Sequence, residues 1–93
     1  MPSGTVSSDG GVGGAVTPTW LSSLPVGARA RVLDVRGDAT LQRRLFELGL
    51  LPGVEVRLVR VAPLGDPLQI ELLGYDLSVR KSDAALIQIE RLG

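Results

Sequence analysis

The apolar positions of this chain change period at a few points, and each change marks a boundary. From Ala28 to Val35 they alternate, with Ala28, Ala30 and Val32 set against Arg29, Arg31 and Leu33. A period of two is the mark of a half-buried strand. From Ala39 to Leu48 the spacing lengthens: Leu41, Leu45 and Leu48 fall at i, i+4 and i+7, one face of an α-helix. Gln42, Arg43 and Glu47 then face outward, and Arg43 and Glu47 are spaced to pair. Asp38, with Thr40 as the alternative, is the predicted N-cap. Gly49 stands where a helix turns off through the left-handed region. So short a helix is marginal alone and must dock through its leucine face.

Alternation resumes after the Pro52-Gly53 turn at Val54, Val56 and Leu58, then slips phase to Val59 and Val61. A one-residue slip swaps the two faces of a strand, so a bulge is expected there. Ala62 to Pro67 is a loop stiffened by two prolines. Leu68 to Leu72 alternates again. Gly74-Tyr75 predicts a tight hairpin, with Gly74 at the first central position of a type II′ turn. Tyr75 to Arg80 is the return strand, Lys81 to Ala85 one helical turn capped by Ser82, and Leu86 to Leu92 a last strand. Trp20, Leu21 and Leu24 are placed to cover one side of the core. The expected fold is mainly β, a small partly open barrel of five to six short strands, with one short α-helix and a short helical turn.

Composition narrows the function. Residues 1–19 hold five of the twelve glycines and little apolar material, too little to offset the entropy of ordering a backbone. They are expected to be a disordered tail before a single domain over 20–93. No basic start with an apolar run marks a signal peptide, and nothing predicts membrane insertion. All ten Lys and Arg, but only nine of the ten acids, lie in residues 20–93, for a net +1. That is no electrostatic footprint for nucleic acid. With no Cys and no His, thiolate and imidazole chemistry is excluded. The acids are dispersed and the hydroxyls have no base beside them. No enzyme, cofactor or metal site is therefore expected, and the cysteine-free composition fits a reducing cytoplasm.

What packing leaves over is a set of candidate contact residues. Arg43 and Arg44 flank the helix, where they either shield the core edge with their stems or meet an acidic patch on a partner. Leu50 and Leu51 follow the helix stop, and both cannot easily face inward, so with Phe46 they form a candidate docking patch. Pro63, Leu64 and Asp66 lie on the stiffened loop, which suits recognition, although Asp66 is equally suited to bonding the loop's own N–H groups. Arg80 either pairs with an acid across the hairpin or meets a partner. The three aromatics Trp20, Phe46 and Tyr75 are spread over three elements, too few for a polyproline groove.

Three motifs in order carry a resemblance: Arg44-Leu45 with Leu48-Gly49-Leu50 and Pro52-Gly53, then Ala62 to Pro67, then Gly74-Tyr75 with Leu77 to Ser82, Ala84 and Ile87. Together they resemble the FeoA domain family over about residues 20–92. Val79 departs from the commoner leucine by one methylene. The resemblance implies an SH3-like barrel and a cytoplasmic, non-enzymatic accessory role in bacterial ferrous iron uptake, through contact with the FeoB-type membrane GTPase transporter. It leaves homo-oligomerisation open. The alternatives are a ferrous-ion carrier or sensor, and a general adaptor for another protein. Such domains also end metal-dependent repressors, but here only the glycine-rich segment precedes the barrel, so a repressor is not expected. An arginine finger at Arg44 is chemically sensible, but nothing in the spacing selects it.

Overall fold

The structure, a computed structural model, describes residues 18–92. The expected disorder of residues 1–17 therefore lies outside the described residues, whereas Pro18 and Thr19, placed in the same tail, belong to a strand. In chain order the elements are β1 (Pro18–Trp20), a 3-10 turn (Leu21–Ser23), β2 (Arg29–Val35), α1 (Ala39–Glu47), β3 (Glu55–Val61), β4 (Leu68–Leu72), β5 (Tyr75–Val79), α2 (Lys81–Ala84) and β6 (Ile87–Arg91). The six strands form one antiparallel sheet in the order β1-β6-β2-β3-β4-β5. The extra strand relative to the five read along the chain is β1, which adds to the edge of β6.

One face of every long strand enters a single core: Ala30, Val32 and Val35 from β2, Val56 and Leu58 from β3, Leu68, Ile70 and Leu72 from β4, and Ile87 and Ile89 from β6. A sheet that wraps all its inner residues around one core must curl, and two bulges supply the bend. In β3 the register steps from Leu58↔Ile70 to Arg60↔Gln69, leaving Val59 as the extra residue. This is the expected phase slip. In β2 it steps from Val32↔Ile89 to Asp34↔Gln88, with Leu33 extra. This second bulge was not expected, but the pattern carries it: Val32 and Val35 are both buried, three apart, with Asp34 outside.

Two turn details differ from expectation. Leu72 pairs with Tyr75, so the central residues of the β4–β5 turn are Leu73 and Gly74. Both have positive φ, 52° and 85°, which is type I′ rather than II′. At the start of α2 the N-cap is Arg80 and no side chain caps it. Ser82 falls inside the turn, one position after Lys81, where its hydroxyl is past the cap.

Candidate interaction surface

α1 is held at both ends, and this decides which of its residues face solvent. At the N-terminus the Asp38 carboxylate accepts the N–H of Leu41 at 2.8 Å, as expected. Gln42 donates from Nε2 to the carbonyl of Val35 at 2.9 Å, tying the helix to β2. At the C-terminus the Leu50 N–H bonds the Leu45 carbonyl and the Gly49 N–H bonds the Phe46 carbonyl, both at 3.0 Å. That pair of bonds, with Gly49 at φ 102°, is a Schellman motif. Its accompanying contact joins the residue after the glycine to the helix residue five earlier. Leu50 is accordingly in the core with Leu45, at 0% exposure.

This corrects two readings. Leu50 is a core residue and leaves the candidate surface. Leu48, expected to be inward, stands at the helix C-cap and is 37% exposed. The docked face of α1 is Leu41 and Leu45, with Leu50 added after the turn. Leu51 remains outside at 44%. The signal for Leu50 was present in the sequence, because an apolar residue directly after a helix-ending glycine belongs to the same motif as the glycine.

α1 lies beside β5, the last strand in the sheet order. Arg44, Leu45 and Leu48 from the helix, Ser78, Val79 and Arg80 from the end of β5, and Asp83 from α2 line a groove of about 270 Å³. The structure thus brings Arg44 and Arg80 together. Arg44 donates to Asp83 at 3.1 Å, a contact between α1 and α2 in which the arginine side chain stays exposed while the aspartate side chain is mostly covered. With the arginine in solvent, such a pair contributes about 1 kcal/mol or less. The expected pairing of Arg80 with an acid across the hairpin does not form among the described residues. Nor do Arg43 and Glu47 pair: both side chains are exposed, with no geometry to fix them.

Further along the same edge, the Tyr75 hydroxyl donates to the Leu48 carbonyl. A Cβ added at Gly49 would stand 2.8 Å from that hydroxyl and 3.4 Å from both Leu72 and Leu73 Cδ1. Leu48, Leu73 and Tyr75 therefore gather around the end of α1, and all three are exposed.

The proline loop is a separate surface. Pro63, with Arg60, Val61, Pro67 and Gln69, lines a concavity of about 450 Å³. Leu64 is 97% exposed at its tip. Asp66 turns away from the loop to accept the Lys81 N–H at 2.9 Å. It bonds the start of α2, not the loop's own N–H groups. No group of three or more potential metal-binding side chains converges among the described residues, and no described helix is long and apolar enough to cross a membrane.

A family model described as FeoA domain matches residues 19–91. The chain belongs to the FeoA domain family. It is 36% identical over 70 residues to the Fe(2+) transport protein A/Fe(2+) transporter FeoB fusion protein of Porphyromonas gingivalis. The match takes in 75% of this chain but 8% of that relative, so the chain spans under a tenth of the fusion protein's length. The FeoA protein of Chlorobium tepidum superposes with a TM-score of 0.76 at 37% identity, covering 81% of this chain and 71% of that one. The zinc complex of Stenotrophomonas maltophilia FeoA, described as a prokaryotic SH3 domain protein, gives 0.64 at 33% identity, covering 76% and 88%. The six-stranded sheet is thus the SH3-like barrel expected from the sequence.

Proposed function

We propose that this FeoA-domain protein is a non-enzymatic accessory of ferrous iron uptake that works in the cytoplasm by contact with a FeoB-type GTPase transporter. The observation that carries this reading is the fusion relative, in which a domain 36% identical to this chain shares one polypeptide with FeoB. A permanent covalent link raises the effective concentration of a domain at its partner and is useful where the two act together. The composition supports the same reading, since without Cys or His the described surface offers grooves and exposed leucines rather than a catalytic constellation.

Co-purification with the cognate transporter, together with ferrous uptake in a deletion strain, tests it. Association with the wild-type chain, and uptake that falls on deletion and returns with the wild-type gene, are expected. Absence of association with normal uptake in the deletion strain would sink the proposal. A stoichiometric Fe(II) isotherm at micromolar affinity or better would replace it with a carrier.

A further inference from the structure

Three features on one side of the molecule leave surface open that the packing of the fold does not cover. The first is Arg80. Of the nine arginines, five form ion pairs, with Glu55, Glu90, Asp34, Asp83 and Glu71, and Arg60 donates to Gln69. Arg80 lines the groove between α1 and β5 and has no acidic partner among the described residues. The second is the apolar side of that groove, Leu45, Leu48 and Val79, with Leu48 partly open to solvent.

The third is Leu73. It is 69% exposed and occupies φ 52°, in a turn type that favours Asn or Gly at that position. An exposed leucine there neither fills the core nor eases the turn. A mostly exposed leucine held at positive φ points to a role outside the core. Leu73 meets the end of α1 at Gly49, beside Tyr75 and Leu48, so it extends the apolar side of the groove.

Resting on the proposed function, we infer that this groove, and not the proline loop, is the docking site, and that its occupant is an acidic amphipathic peptide segment of the transporter. Apolar side chains of that segment cover Leu48 and Leu73, and a carboxylate pairs with the Arg80 guanidinium in the planar fork that arginine offers.

The test uses the full chain, isotopically labelled for NMR, with peptides tiled across the cytosolic segments of the FeoB-type protein from the same genome. Peptides with carboxylates flanking apolar residues are expected to shift Leu48, Leu73 and Arg80. Amide replacement of those carboxylates, or Arg80→Glu, weakens binding at least tenfold. Leu73→Asn weakens it at least threefold while leaving the fold at least as stable, which separates docking from folding. Shifts centred on Ala62 to Pro67, or undiminished binding by Arg80→Glu, overturn the groove and leave the transporter as partner. Absence of any binding to the peptides and to the intact transporter overturns both. Phosphatidylglycerol vesicles that bind wild type but not Arg80→Glu, where the peptides do not, assign the groove to a lipid headgroup instead.

Discussion

The hydroxyl of Tyr75, on strand β5, donates a hydrogen bond to the backbone carbonyl of Leu48 at the end of α1. The last carbonyls of a helix have no partners within it, and this contact supplies one from the sheet. It joins the helix to the strand at the far end of the sheet order, across a close approach that Gly49 alone permits. Tyr75→Phe removes the bond and keeps the ring. The expected cost is about 0.5–1.5 kcal/mol, read as a lower urea midpoint with an unchanged m-value.

Gly49 has two reasons to be glycine, and a double-mutant cycle separates them. Gly49→Ala places a Cβ 2.8 Å from the Tyr75 hydroxyl and imposes φ 102° on an L-residue. Destabilisation by more than about 1 kcal/mol is expected. In the Tyr75→Phe background the clash is relieved while the backbone strain stays. The penalty should therefore shrink without vanishing, and strict additivity would show that the close approach carries no energy.

Leu50 and Leu51 are adjacent in sequence and opposite in role. Leu50→Ala empties a fully buried position and should cost about 2–5 kcal/mol. Leu51→Ala should stay within about 0.5 kcal/mol of wild type. Equal effects in chemical denaturation would contradict the Schellman packing described for the end of α1.

Leu73→Asn is expected to stabilise the isolated protein by up to about 1 kcal/mol, because asparagine tolerates positive φ where leucine does not. A differential scanning measurement showing a lower Tm would mean that Leu73 packs more than its exposure indicates.

Period and punctuation made most of the fold legible. Strands β2 to β6, α1 with its Asp38 cap and the bulge at Val59 were all written in local pattern, and local pattern is what periodicity reports. Three things were less accessible. Strand β1 is three residues long, too short for alternation to register, and exists through its pairing with β6. The hairpin type followed from which residues close the ladder, a matter of register that Gly74 alone does not specify. Leu48 and Leu50 depart from the helical wheel because α1 ends at Glu47, and the turn at Gly49 rotates the chain by a different amount.

The candidate surface was less legible still, since a surface is assembled from distant segments. Arg44 and Arg80 were each singled out, yet only the docking of α1 beside β5 puts them in one groove with Asp83. Leu73 drew no notice in the sequence, where a leucine between a strand and a glycine reads as strand. Its positive φ is what sets it apart.

The pairing of β1 with β6 has a consequence for how such a domain can be carried by a larger protein. Pro18 and Glu90 are cross-strand neighbours, so the chain enters and leaves the barrel at the same rim, about one strand spacing apart. A host loop would have to part by only about 5 Å to accept the whole unit as an insertion. A linker at either end would suspend the barrel from the same point, leaving the groove free to swing toward whatever the linker holds nearby.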